Sequence, residues 1–189
     1  MRLAAAAGLL LGLLPAGGSR AQPASLIDPG LSQLGFEIQT RFGYRLSGRF
    51  PAFHGQVRRL DDGRQQVELV IDARQAEVGG HPRLTELLRG PDFFDVQHHP
   101  DIVFRSAPHP PGLAGQGGRI AGELVLRGVS GELAMELEPA GCGRPGYDCP
   151  VAGRGTVSRA AYGMDGWQLA VSDRVTFVLQ VRLGGAQSL

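Results

Sequence analysis

The sequence contains no lysine and no asparagine, and all 19 of its basic residues are arginines. We attribute this to the codon bias of a GC-rich genome rather than to recognition of phosphate. The 19 basic residues are balanced by 18 acidic ones, which leaves a net charge of +1. Nucleic-acid-binding domains instead carry a basic patch and a high isoelectric point. We therefore expect no nucleic-acid partner.

Long hydrophobic runs are also missing. The apolar stretch over residues 3–14 is shorter than the roughly 20 residues that a membrane-spanning helix needs. It follows Arg2 and precedes Ser19 and Ala21, small residues in the positions that a signal peptidase requires. We predict a signal peptide over residues 1–21 and a periplasmic or secreted protein, with an uncleaved anchor as the alternative. Residues 22–189 have the length of a single domain, and we expect no stable membrane insertion.

Cysteine is scarce, which excludes a disulfide-rich scaffold. The two cysteines, Cys142 and Cys149, bracket a turn-forming loop with the sequence Gly-Arg-Pro-Gly-Tyr-Asp. In an oxidising compartment we expect this pair to form a disulfide. The spacing is too long for a CxxC redox motif, and an isolated pair makes a poor zinc site.

Catalytic motifs are absent as well. The sequence has neither a Gly-x-Ser-x-Gly motif nor a glycine-rich GxGxxG turn between a strand and a helix. Its acidic residues mostly alternate onto the expected outer faces of strands, so no carboxylate pair for acid–base catalysis stands out. The five histidines lack the spacing of metal ligands: His54, His81, His98, His99 and His109. We predict a protein that is not an enzyme and has no metal or cofactor site.

What the sequence does contain is repeated alternation. Leu34, Phe36 and Ile38 alternate with small or polar residues, and the same period of two is clearest over residues 175–183. About eight such segments, joined mostly by short turns, predict an all-β, eight-stranded antiparallel barrel with one apolar face. Small residues at or near inward positions are expected to leave room inside it: Gly48, Gly55, Gly122, Gly153 and Gly155.

One segment interrupts the strands. Leu84, Leu87 and Leu88 follow the spacing of a helix, with Pro82 suited to its first turn and Gly90 to its end. A helix of about two turns is too short to be stable alone. We therefore predict that residues 82–94, which end in a Phe-Phe pair, pack on one end of the barrel as a lid through which an apolar ligand enters.

Six blocks of the sequence match the pattern of a known family. The most specific comprises Asp92-Phe93-Phe94-Asp95, Pro100 and Phe104. The other five lie in residues 28–36, 48–55, 122–128, 158–164 and 172–175. In these blocks the sequence resembles the YceI-like family of exported bacterial polyisoprenoid-binding proteins. The sequence departs from the family pattern at Leu31 and near Thr40, where histidines are usual, and at Ala161, where an aspartate is usual. These departures concern contacts with a polar head group.

The resemblance implies a lipocalin-like barrel, closed by short helices, that holds a long isoprenoid chain. It implies a polyprenyl lipid or an isoprenoid-quinone-like molecule as ligand and partner, without a cofactor. From inward parity and from the position of the barrel ends, we predict these ligand-binding residues: Phe36, Ile38, Phe42, Phe50, Phe94, Phe104, Leu124, Leu126, Met135, Leu137, Arg159, Tyr162, Met164, Trp167, Val175, Phe177 and Leu179.

Two questions stay open at the level of the sequence. Arg159 is the one charged side chain whose parity places it inside the barrel, where it either ties strands together through a carboxylate or carbonyl or donates to a ligand oxygen. The leading function is non-enzymatic transport or sequestration of the isoprenoid in the periplasm. The alternative is a stress-related interaction module without a stored lipid. A homodimer is compatible with both.

Overall fold

The chain folds into eleven β-strands and two short α-helices in the computed structural model, which describes residues 24–184. The predicted signal peptide lies outside the described residues. The strands are β1 Ala24–Leu26, β2 Gln33–Thr40, β3 Arg45–Arg49, β4 Phe53–Arg59, β5 Gln65–Asp72, β6 Glu77–Val78, β7 Asp101–Ser106, β8 Gly118–Leu126, β9 Val129–Leu137, β10 Val151–Ser158 and β11 Val171–Val181. The helices are α1 Pro82–Arg89 and α2 Leu113–Gln116, and single 3-10 turns span Ala73–Gln75 and Ala160–Tyr162.

All eleven strands belong to one antiparallel sheet in the order β1-β4-β5-β7-β8-β9-β10-β11-β2-β3-β6. β3 pairs with β2, whereas β4 pairs with β5 on the far side of the sheet. Only Phe50, Pro51 and Ala52 separate β3 from β4. The amide of Phe50 still donates to Leu34 beside β3, and the amide of Asp72 donates to Ala52 beside β4. The two sides of the sheet therefore meet along this one stretch of chain, which closes the barrel.

The all-β antiparallel prediction is confirmed, and the difference in strand count has a simple origin. β3 corresponds to a predicted strand that ends at Pro51, which lacks the backbone N–H that a strand ladder uses. β4 continues beyond Pro51 as a strand that alternation did not indicate. β1 and β6 are additional strands of three and two residues. Setting β1, β4 and β6 aside leaves the eight predicted strands.

Pairing between β2 and β11 shows how alternation fills the core. Phe36 lies opposite Phe177, and Ile38 lies opposite Val175. All four side chains are buried. Because successive strand residues point to opposite faces, the intervening Glu37 and Thr176 face away from the core. The apolar positions predicted from the sequence therefore form one continuous inner surface.

The β8–β9 hairpin turns one residue earlier than the sequence suggested. The predicted turn covered residues 128–130, but the two turn residues are Arg127 and Gly128, with φ angles of 53° and 71°. Positive φ at both central positions is the geometry of a type I′ turn, whose twist matches that of the flanking strands. Leu126 and Val129 consequently pair directly across the hairpin.

The helix predicted within residues 82–94 is present, and we call this segment the lid, while its role in ligand entry stays a prediction. Helix α1 begins at Pro82 and ends at Arg89, and the amide of Gly90 donates to Leu87 at its C-terminus. The chain then folds back, with the amide of Phe94 donating to Leu88 at 3.0 Å. Leu88 and Phe94 are both buried against the barrel. Helix α2, by contrast, lies within residues 108–118, whose prolines and glycines predict a loop.

The inward glycines do not leave open space, contrary to expectation. A methyl group at Gly48 would overlap the ring of Phe36 and lie 2.8 Å from the carbonyl oxygen of Glu77. At Gly155, a methyl would lie 2.5 Å from the sulfur of Met135. Neighbouring side chains occupy the room that these glycines provide. Their role is therefore tight packing of large residues, not enlargement of a cavity.

Candidate ligand-binding site

The barrel interior contains separate cavities at its two ends. A cavity of about 250 Å³ lies under the lid, and we call it the lid-end cavity. A cavity of about 490 Å³ lies at the opposite end, under the loop that carries the two cysteines, and we call it the disulfide-end cavity. A central void of about 40 Å³ lies between them. Within residues 24–184, the end cavities share no lining residue.

The lid-end cavity brings together most of the predicted ligand-binding residues. Its walls come from β2, from the end of β8, from β10 and β11, and from the lid, and they are almost entirely apolar. The predicted residues that line it are Phe36, Ile38, Phe42, Phe94, Leu126, Arg159, Met164, Trp167, Val175 and Phe177. Leu84, Leu87 and Leu88 of the lid also line it, although the sequence predicted them only as packing residues. Their helical spacing was the available signal.

An aromatic cluster holds the lid in place. The Phe94 ring lies 5.9 Å from that of Phe36, edge to face, and 5.8 Å from that of Phe50. The Phe50 ring stacks in turn on that of Phe177, with 6.3 Å between centroids. Offset and edge-to-face pairs of this kind add attraction beyond the burial of area. The lid therefore inserts one aromatic side chain into the barrel core.

Arg159 is the buried charge at this end, with 1% of its surface exposed. It lies directly after β10, and its guanidinium donates to the carbonyl oxygen of Gly166 at 2.7 Å and to that of Ser172 at 3.4 Å. Its Nε is buried without a hydrogen-bond partner in the described part of the chain. The contacts match the structural alternative, in which Arg159 ties segments of the chain together, and they leave part of the guanidinium unpaired beside the cavity.

Electrostatics at Arg159 reflect opposing influences. Burial lowers the pKa of the guanidinium, and the nearby carboxylates of Asp173 and Asp165 oppose that effect. The Asp173 carboxylate also accepts a hydrogen bond from the amide of Ala160 at 2.9 Å. The pKa of Asp173 is lowered, chiefly by a hydrogen bond from Ser158 and also by the hydrogen bond from the Ala160 amide. Asp173 thus stabilises both the buried charge and the turn that follows it.

The middle of the barrel is packed with side chains. The predicted ligand residues Phe50 and Leu124 line the small central void, and 1% and 2% of their surfaces are exposed. Among the described residues, Phe177 is the one that lines both the lid-end cavity and the central void. Its ring therefore stands between the lid-end cavity and the rest of the interior.

The disulfide-end cavity contains the remaining barrel residues of the prediction. Phe104, Met135, Leu137 and Leu179 line it. The predicted disulfide is present, with 6.2 Å between the α-carbons of Cys142 and Cys149. It closes a loop that covers the cavity, and the amide of Leu183 donates to Gly146 in that loop at 2.8 Å. The loop is thus attached to the strand end beside β11.

Three predicted ligand residues occupy positions that alternation did not indicate. Tyr162 is buried outside the three interior voids, with its ring against the backbone of Gly131. Burial raises the pKa of its phenol. Phe42 and Trp167 do line the lid-end cavity, but they lie at its mouth and are largely exposed. They form part of the outer edge rather than the interior.

Among residues 24–184, no group of three or more histidine, cysteine, aspartate or glutamate side chains is placed to hold a metal ion. His98 instead pairs with the carboxylate of Asp95 at 2.9 Å. Within the same part of the chain, no helix is long and apolar enough to cross a bilayer.

Comparison with solved structures identifies the same fold in other proteins. BcnA of Burkholderia cenocepacia aligns with 84% of this chain and 99% of its own, at 20% identity and a TM-score of 0.67. A polyisoprenoid binding domain from Saccharophagus degradans, implicated in plant cell wall breakdown, aligns over 85% and 98% of the two chains, at 17% identity and a TM-score of 0.61. The YCEI protein of Campylobacter jejuni aligns over 73% and 84%, at 16% identity and a TM-score of 0.51. At these identities, the likeness establishes the fold.

Sequence comparison defines the family. A search of curated proteins gave no match. The model of the YceI-like domain, however, matches residues 26–183, which include almost all of the described chain. The resemblance noted from the sequence blocks is thereby confirmed, and the chain belongs to the YceI-like family.

Proposed function

We propose that this protein binds a long-chain isoprenoid, either a polyprenyl lipid or an isoprenoid-quinone-like molecule, and carries or sequesters it in the periplasm without chemical change. The observation that carries the proposal is the nearly all-apolar cavity beneath a lid held by one inserted phenylalanine. Membership of the YceI-like family supports it, as does the fold shared with a polyisoprenoid binding domain.

The lid-end cavity suits one end of a prenyl chain. Each buried methylene contributes about 0.8 kcal/mol, so even partial enclosure of a prenyl chain is favourable. Beyond that cavity, a longer chain would have to displace the ring of Phe177 to reach the central void. Met135, which lines both the central void and the disulfide-end cavity, has the flexible side chain that such repacking favours.

Arg159 supplies the polar contact in this proposal. Among residues 24–184, the Nε of its guanidinium has no partner, and its other nitrogens bind only carbonyl oxygens. A quinone carbonyl or a phosphate oxygen at the cavity wall would accept from such a donor. The absence of an activated nucleophile or carboxylate pair from the sequence favours binding over catalysis.

Export to the periplasm follows from the predicted signal peptide and from the family resemblance. Fractionation of cells that express the full chain tests this step. A periplasmic protein whose N-terminus lies at Gln22 is expected, and a protein retained in the cytoplasm would contradict it.

Organic extraction of the purified protein, followed by mass spectrometry, tests the ligand. An isoprenoid in the extract is expected. A Leu126→Trp variant should fill the lid-end cavity and weaken the binding of a prenyl probe, because Leu126 lines that cavity and is fully buried. The matched control is Val125→Trp, which places the same ring on the outer face of the same strand. An empty extract together with unchanged probe affinity in Leu126→Trp would favour the interaction module instead.

A further inference from the structure

An exposed apolar rim lies at the mouth of the lid-end cavity. It consists of Phe42, Tyr44, Trp167 and Leu169, which are 77%, 73%, 50% and 91% exposed. Large apolar side chains that cluster on the surface of a soluble protein mark sites of interaction. We call these four residues the apolar rim.

Two loops bring the rim together. Phe42 and Tyr44 belong to the turn between β2 and β3, and Trp167 and Leu169 precede β11. The amide of Arg41 donates to Ala170 at 3.0 Å, and its guanidinium donates to the carbonyl oxygen of Gln168 at 2.6 Å. Because these bonds join the loops directly, the rim is one surface rather than two unrelated exposed tips.

The rim is continuous with the cavity. Phe42 and Trp167 line the lid-end cavity and are also exposed to solvent. Trp167 adopts a φ angle of 62°, a left-handed conformation that is uncommon for a bulky residue. Its indole nitrogen donates to the carboxylate of Asp92 at 3.2 Å, and Asp92 directly precedes the Phe93–Phe94 pair of the lid. The Trp167 side chain is thus exposed to solvent, lines the cavity and is bonded to the lid.

From this arrangement we infer that the apolar rim docks on the surface of a lipid bilayer. Tyrosine and tryptophan are the side chains enriched at the membrane interface, because their rings are apolar and their polar groups stay hydrated. Arg41 and Arg45 flank the aromatic residues and are both exposed, so their positive charges lie on the docking side. Within the protein, Arg41 also donates to Gln168, and Arg45 lies 3.6 Å from the carboxylate of Glu37. This inference rests on the proposed function, since docking places the cavity mouth against the membrane from which an isoprenoid is drawn.

Docking also provides a route to opening the lid. Insertion of Trp167 among lipid head groups competes with its hydrogen bond to Asp92. Loss of that bond frees the segment next to Phe94, whose packing holds the lid. The lid therefore opens against the bilayer, where an apolar ligand leaves one apolar environment for another without crossing water.

Trp167 is the protein's sole tryptophan, so its fluorescence reports on the rim directly. Vesicles of phosphatidylcholine mixed with phosphatidylglycerol should shift its emission to shorter wavelength, and lipids brominated on their acyl chains should quench it. The protein should sediment with the same vesicles. Unshifted emission and no sedimentation would overturn the inference.

A matched pair of variants locates the docking surface. Tyr44→Ser with Leu169→Ser removes two rim residues that do not line the cavity and should weaken vesicle binding about ten-fold or more. Leu26→Ser with Leu31→Ser is the control, because these leucines are 63% and 61% exposed and lie outside the rim. Equal loss in both variants, or loss only in the control, would overturn the rim assignment.

Two further readouts distinguish membrane docking from ligand binding and from self-association. The rim variant should take up a soluble prenyl probe with unchanged affinity, so vesicle binding without probe binding would leave docking intact and contradict the proposed function. Probe binding without vesicle binding would support the proposed function and overturn the docking inference. Sedimentation velocity checks for self-association: a dimer that the rim substitutions dissociate, with no vesicle binding, would assign the rim to a second copy and overturn the inference.

Discussion

The guanidinium carbon of Arg159 lies 5.0 Å from the centroid of the Phe93 ring, in the geometry of a cation–π pair. Phe93 belongs to the lid, and Arg159 follows strand β10. Arg159 is the only charged side chain among the described residues that line the lid-end cavity. The pair therefore joins the lid to the barrel wall at the charged point of that cavity.

Replacing Arg159 with methionine should lower the free energy of unfolding by about 2 kcal/mol, because the carbonyl oxygens of Gly166 and Ser172 lose their donor inside the protein. Urea denaturation measures the change. Arg154→Met serves as the control: Arg154 is exposed and contacts Glu138 at 3.7 Å, a surface pair worth less than about 1 kcal/mol. Equal effects of the two substitutions would contradict the structural role of Arg159.

Acid should weaken the fold in part through Asp173. Its folded pKa is lowered, chiefly by the hydrogen bond from Ser158, so its ionised form is the one stabilised by folding. That stabilisation is fully present above the unfolded pKa of about 3.9 and is lost as the pH falls through the lower folded pKa. Asp173→Asn should therefore cost more stability at neutral pH than in strong acid. Denaturation curves at the two pH values measure this, and a cost that stays constant would refute it.

Gly48→Ala should destabilise the barrel by about 1–3 kcal/mol, since its methyl group would force the Phe36 ring or the backbone at Glu77 to move. Thermal unfolding detects such a loss. Gly79→Ala is the matched control, because a methyl there meets nothing within 4 Å. A Gly48→Ala protein as stable as the control would show that the Phe36 ring shifts freely.

The disulfide should stabilise the protein without affecting ligand binding under the lid. A bridge across so short a loop contributes about 2 kcal/mol, so replacing Cys142 and Cys149 by serine should lower the free energy of unfolding by that amount. Prenyl-probe affinity should be unchanged, because neither cysteine lines the lid-end cavity. Alkylation that finds two free thiols in periplasmic material would contradict the bridge.

Hydrogen exchange should show the lid as the point of entry. Amides such as that of Phe94, which donates to Leu88, should exchange more slowly when an isoprenoid is bound, because local opening then costs more. Equal exchange with and without ligand, combined with new protection at residues 112–118 or 142–149, would place the entrance at the disulfide end.

Alternation in the sequence predicted which face of each strand is buried, and β2 and β11 follow it residue by residue. Alternation did not predict that the interior is divided into two end cavities. It shows which side chains of a strand face inward, but not how far along the barrel axis each of them lies. Phe36 and Leu179 both face inward, yet they line opposite cavities. Only the staggered pairing of all the strands determines that position.

The sequence correctly predicted that Arg159 is buried, but its burial does not come from the alternation of a strand. Strand parity placed it inside, whereas its backbone is helical, with φ −62° and ψ −42°, and it begins the turn after β10. Its burial comes from the lid and from the segment around Gly166. Phe42 and Trp167 lie in loops, where alternation predicts nothing about burial. The hydrogen bonds that join the two loops place these side chains at the cavity mouth.

Under the proposed function, the position of Phe177 between the lid-end cavity and the central void determines the order of events during transfer. A ligand seated above that ring has the lid as its direct way in and its direct way out, so loading and unloading are the same movement in opposite directions. The protein then meets its donor and its acceptor with one and the same face. It serves them in turn, and no ternary complex that spans both ends of the barrel is needed for exchange.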